Sequence, residues 1–118
     1  MGLFDWLFGS PVRQISPQEA YELLQTAVPP LLVDVRQPAE TQTERVEGAA
    51  LIPLTEFGRR YRELPRDRQI LTICRSSHRS PIAARRLAKA GYDVLDVAGG
   101  LNAWQAAGLP LSKNGQHS

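Results

Sequence analysis

The stretch that most constrains this chain is Ile70-Leu71-Thr72-Ile73-Cys74-Arg75-Ser76-Ser77-His78-Arg79-Ser80-Pro81. A short apolar run ends at the only cysteine in the sequence. Two arginines and a histidine follow, and Ser80-Pro81 reads as an N-cap with proline in the first helical position. Strand, loop and helix in this order predict a parallel α/β sheet, in which ligands bind beyond the carboxyl ends of the strands. No proline interrupts Arg75 to Ser80, so up to six backbone N–H groups can turn toward the sulfur as an anion-binding nest. The positive end of the following helix and the guanidinium groups of Arg75 and Arg79 also favour a thiolate. Cys74 is therefore expected to be ionised or nearly so at neutral pH. A lone cysteine is more often an inert buried hydrophobe, but the surrounding cations and serines argue against that here.

These residues carry a family resemblance. Cys74-Arg75-Ser76-Ser77-His78-Arg79-Ser80 resembles the active-site loop of a single-domain rhodanese, a sulfurtransferase, with Ser77 standing where the family often has glycine. Further pieces agree in order: Asp34-Val35-Arg36 with Glu40, Gly48-Ala49 with Ile52-Pro53-Leu54, Gly99-Gly100 with Ala103-Trp104, and Gly108-Leu109-Pro110. Where the family has a histidine before its Gly-Ala element, this chain reads Arg45-Val46-Glu47. The resemblance implies a three-layer domain whose mainly parallel sheet has about five strands flanked by helices. It also implies that Cys74 is the catalytic nucleophile and that Arg75, Ser76, Ser77, His78 and Arg79 bind the substrate. Asp34, Arg36, Glu40 and Ser80 are then supporting residues, with Arg36 and Glu40 in an ion-pair role.

At 118 residues the chain has room for one core. A net charge of +2 is too small to argue for nucleic acid, and one cysteine excludes an internal disulfide or a Cys-rich metal site. No metal or dissociable cofactor is called for. A free thiol without a recognisable signal sequence points to a cytoplasmic setting.

Residues 1–11 read as an apolar N-terminal extension, 12–111 as the domain and 112–118 as a flexible tail. The patch Met1 to Gly9 is too short to span a membrane. It reads as a segment that folds back over the domain or frays, with a short membrane-surface or partner-docking segment as the alternative. Val12 to Ile15 is a first short strand. Ser16-Pro17-Gln18-Glu19 starts a helix with a capping box, running to about Thr26 with Ala20, Leu23, Leu24 and Ala27 inward. Leu31 to Val35 is a buried parallel strand that carries Asp34 near its end. Asp34 must then be hydrogen-bonded, either as support for the Cys74 loop or as a cap of its own turn. Residues 37–47 are polar and read as a surface loop. A strand over Ala50 to Ile52 ends at Pro53, and Thr55 can cap a helix over Glu56 to Leu64. Its arginines Arg59, Arg60 and Arg62 form a solvated face, or alternatively a docking surface for an acidic partner. Ile82 to Ala90 is a helix stopped by Gly91, Asp93 to Val97 is the last strand, and Leu101 to Ala107 is a helix anchored by Trp104.

The chemistry implied is transfer of sulfane sulfur from an anionic donor such as thiosulfate to cyanide or a cellular thiol through a Cys74 persulfide. A protein sulfur donor or acceptor is a further possible partner, and nucleic acid is not. Two competing functions remain. One is a noncatalytic or sulfur-relay binding module. The other is a cysteine-dependent phosphatase, whose loop between cysteine and arginine is one residue longer than the four residues separating Cys74 from Arg79.

Overall fold

The computed structural model describes residues 12–113. Expectations for the apolar patch at residues 1–9 and for 114–118 lie outside the described residues. Among those described, no helix is long and apolar enough to cross a membrane.

The strands are β1 (Gln14–Ile15), β2 (Leu31–Asp34), β3 (Glu44–Arg45), β4 (Ala50–Leu51), β5 (Ile70–Ile73), β6 (Val94–Val97) and β7 (Ser112–Lys113). The helices are α1 (Pro17–Leu24), α2 (Pro38–Thr43), α3 (Leu54–Arg60), α4 (Ser80–Lys89) and α5 (Gly100–Ala106), with a 3-10 turn at Tyr61–Glu63. Five strands form one sheet in the order β1-β6-β5-β2-β4. Every pairing in it is parallel. The fold is therefore the mixed α/β architecture expected, with helices on both faces of a five-stranded parallel sheet.

Side chains alternate across the central strands, so the sheet feeds two cores. Val33 and Ile70 pack with Phe57, Ala83, Ala84 and Leu87 under α3 and α4. Leu32, Leu71 and Ile73 pack with Ala20, Leu101 and Trp104 under α1 and α5. Trp104 is fully buried, its indole N–H donates to the Pro110 carbonyl at 3.0 Å, and its ring meets Tyr21 edge-on. Asp96, also buried, accepts from Thr72 Oγ1 and Gln14 Nε2, both at 2.8 Å, and so ties β1, β6 and β5 together.

The α1 start matches the sequence: Ser16 and Glu19 form a reciprocal capping box behind Pro17. The helix stops at Leu24, so Ala27 is exposed rather than inward. Three further expectations are corrected. The presumed loop 37–47 contains α2 and β3; Pro38 occupies the first turn, and the Glu40 carboxylate accepts from the Gln37 N–H at 3.2 Å, which starts a helix without an apolar stripe. Thr55 is not a cap, because α3 already begins at Leu54 behind Pro53. In the presumed tail, Ser112 and Lys113 pair antiparallel with Arg45 and Glu44 in a small second sheet.

Candidate active site

Strand β5 ends at Ile73 and delivers Cys74 fully buried beside the start of α4. The register sets Ile73 opposite Asp34, so the ends of the two central strands define the floor of the site. The loop is held from the other side by α5, where the N–H groups of Leu101 and Asn102 donate to the carbonyls of Cys74 and Arg75 at 2.8 and 3.0 Å. That approach requires a glycine. A Cβ on Gly100 would overlap the Cys74 carbonyl and lie 2.8 Å from the Arg75 backbone, and its φ of +59° is itself left-handed.

The thiol sits among donors. Ser80 is the first residue of α4, with Arg79 at the cap position, one residue earlier than the Ser80-Pro81 pattern suggests. The Ser80 hydroxyl is thereby released from capping and donates to Cys74 Sγ at 3.3 Å. Burial pushes the Cys74 thiol up, but the Ser80 hydroxyl and the backbone N–H groups of Ser80, Arg79 and Ser76 outweigh it and hold its pKa below the ordinary 9.0. The nest is thus formed by both ends of the loop. Its middle turns through Ser77, the one non-glycine among the described residues with positive φ, at +67°. The Ser77 hydroxyl donates to the Val97 carbonyl at 3.2 Å, which anchors a conformation that costs a non-glycine residue about 1 kcal/mol. His78 is exposed at the rim, its Nδ1 sharing a 2.8 Å hydrogen bond with Ser76 Oγ.

Arg36 and Glu40 do not pair with each other. Arg36 and Asp34, both buried, form a bidentate pair: Nη2 donates to Oδ2 at 2.8 Å and Nε to Oδ1 at 3.0 Å, while the Arg36 backbone N–H donates to Oδ1 at 3.0 Å. Asp34 thus caps its own turn and fixes the arginine, whose Nη2 also donates to the Glu44 carbonyl at 2.7 Å. Glu40 instead takes Arg79 in a second bidentate pair, at 2.6 and 3.1 Å. The Arg79 hydrogen bond, the Gln37 N–H and nearby positive charge outweigh burial and bring the Glu40 pKa down to about 2.

Glu44 was not singled out in the sequence. Its Oε1 accepts from Arg75 Nη1 and its Oε2 from Gln105 Nε2, both at 3.1 Å. Arg75 also lies 3.8 Å from Glu40. The two loop arginines are therefore each engaged by a carboxylate. Arg36 and Asp34 stand two apart at the end of an extended strand, hence on one side, which was a readable sign of their pairing. No local pattern marks Glu44, because its partners come from three separate parts of the chain. No group of side chains suited to a metal ion occurs among the described residues.

Comparisons with known proteins bear on this geometry. The family model for the rhodanese-like domain matches residues 16–107. A sulfurtransferase from Allochromatium vinosum is 36% identical over 101 residues, covering 85% of this chain and 94% of that protein. A thiosulfate sulfurtransferase from Actinobacillus succinogenes is 32% identical, covering 83% and 88%. In several longer relatives the match spans only 24% to 47% of the protein. Among solved structures, a rhodanese-related protein from Thermoplasma volcanium superposes with a TM-score of 0.80 at 29% identity, covering 85% of this chain and 97% of the other.

Proposed function

The chain belongs to the rhodanese-like domain family, whose similar members support a sulfurtransferase activity, and from that premise we propose that it moves sulfane sulfur through a persulfide on Cys74. Thiosulfate is the proposed donor. The Cys74 thiolate bonds to its outer sulfur, the bond to the sulfonate sulfur breaks, and the electron pair leaves on sulfite. Cyanide or a cellular thiol then takes the outer sulfur and returns the thiolate, in a ping-pong sequence. The observation that carries this reading is the buried sulfur ringed by the Ser80 hydroxyl and the N–H groups of Ser80, Arg79 and Ser76. A second sulfur on Cys74 would carry the charge into the same nest, so no proton need move during loading.

In this reading Arg75, Ser76, Ser77, His78 and Arg79 form the donor's binding loop, while Asp34, Arg36, Glu40 and Ser80 support it. A cytoplasmic setting belongs to the same proposal, since a single free thiol suits a reducing compartment. The test is intact mass after thiosulfate treatment of the reduced protein. One added sulfur, about 32 Da, lost on adding cyanide and absent from Cys74→Ser, is the expected result. A wild-type protein that gains no sulfur from thiosulfate or from a persulfide donor would refute it.

A further inference from the structure

The loop's positive charge is already balanced. Arg75 and Arg79 face Glu40 and Glu44, and a thiolate at Cys74 leaves the mouth of the site with net negative charge. A dianion therefore enters an unfavourable field unless an arginine is released to meet it. The two arginines differ in how they are held. Arg79 is gripped by both oxygens of Glu40, whereas the contact of Arg75 within 3.5 Å is a single bond to Glu44.

Glu44 is itself fixed. Its carbonyl accepts from buried Arg36, it lies in the β3–β7 ribbon opposite Lys113, and Gln105 holds its second carboxylate oxygen. Its side chain is 14% exposed against 32% for Arg75. A well-anchored acid thus holds a singly bonded, more exposed arginine one residue from the nucleophile.

Resting on the sulfurtransferase reading, we propose that Glu44 is a specificity-determining residue that restrains Arg75 and thereby disfavours dianionic donors such as thiosulfate relative to low-charge persulfides. Both donors deliver the same atom. From a persulfide RSSH, the Cys74 thiolate bonds to the outer sulfur, the S–S bond breaks with its electron pair on the inner sulfur, and the proton passes to that departing thiolate to give RSH. No dianion has to be accommodated on this route. Thiosulfate, in contrast, requires a cation for its sulfonate, and Arg75 is the one nearest in sequence to Cys74.

The experiment measures second-order rate constants for sulfur loading of Cys74, by rapid quench and intact mass, with thiosulfate and with cysteine persulfide. In Glu44→Gln the ratio of the thiosulfate constant to the persulfide constant rises about fivefold, the worth of one partly exposed ion pair. Glu44→Asp returns the ratio toward wild type, and in an Arg75→Ala background Glu44→Gln has no effect on it. Gln105→Ala, which loosens Glu44 without removing it, moves the ratio in the same direction by less and serves if Glu44→Gln does not fold. An unchanged ratio in both variants, or the same rise without Arg75, overturns the proposal while leaving the persulfide route intact. Failure of wild type to load from either donor overturns the sulfurtransferase reading and this inference with it.

Discussion

The two ends of the parallel sheet make different use of the same fold. At the carboxyl ends, the surroundings of Cys74 are N–H groups, hydroxyls and paired charges. At the amino ends, a hollow of about 550 Å³ is bounded by Tyr21, Leu24, Pro30, Leu31 and Trp104, with Arg68 at its edge. No cysteine lines that hollow, and the nucleophile lies at the opposite ends of the strands. The amino end offers a partly apolar hollow, whereas the carboxyl end is recognised by donors converging on one sulfur.

This contrast should be broken most sharply by disturbing each end in turn. Trp104→Ala, in the wall of the hollow, should cost about 3–5 kcal/mol of stability, yet leave the sulfur-loading rate per folded molecule close to wild type. Arg36→Met should cost a similar 3–5 kcal/mol by stranding Asp34 as a buried charge, but should also slow loading, because the turn beneath the loop is lost. Denaturant unfolding with loading kinetics on the folded fraction separates the two. Equal kinetic effects would mean that the ends are not independent.

Acid should act on the carboxyl end through Glu40. The Glu40 pKa lies below its usual 4.5 when folded, so the ion pair with Arg79 contributes fully above pH 4.5 and is lost as pH falls toward about 2. Urea midpoints across that window should therefore decline less in Glu40→Gln than in wild type, by at most about 2 kcal/mol of stability after solvent screening. A smaller effect is expected from Ser80→Ala, which removes one donor to the sulfur. Alkylation by iodoacetamide at pH 7 should slow about fivefold, with its pH midpoint moved upward. The smallest is Ser77→Gly. Relief of the left-handed backbone is offset by the lost bond to Val97 and by the freer unfolded chain, so stability should stay within about 0.5 kcal/mol.

Much of the carboxyl end was legible because it is written in contiguous residues. The run Ile70–Ile73 is apolar but for Thr72 and fully buried, as a central parallel strand must be. Ser77 was marked by its place in a loop pattern that favours glycine, and it does adopt positive φ. Helix α2 was missed because Pro38–Thr43 has no apolar period; only Thr41 is buried, and the helix depends on its capping at Gln37 and Glu40. Strand β7 was missed for a related reason. Two polar residues carry no strand signal, and Ser112–Lys113 becomes a strand only because Glu44–Arg45 stands beside it. The partners of Arg36 and Glu40 were mistaken because sequence proximity does not reveal that Glu40 is taken by Arg79, 39 positions away, while Arg36 turns to Asp34.

That small ribbon has a practical side. Whatever is joined after Lys113 is attached to the strand next to Glu44, and through it to Arg75. An affinity tag, a fused domain or a protease acting there meets the chain beside the strand that carries Glu44, and is expected to alter the charge balance over the nucleophile. Kinetic comparisons among preparations should therefore hold the C-terminal junction fixed, and an engineer seeking to adjust donor choice without altering the loop has a handle at the far end of the chain.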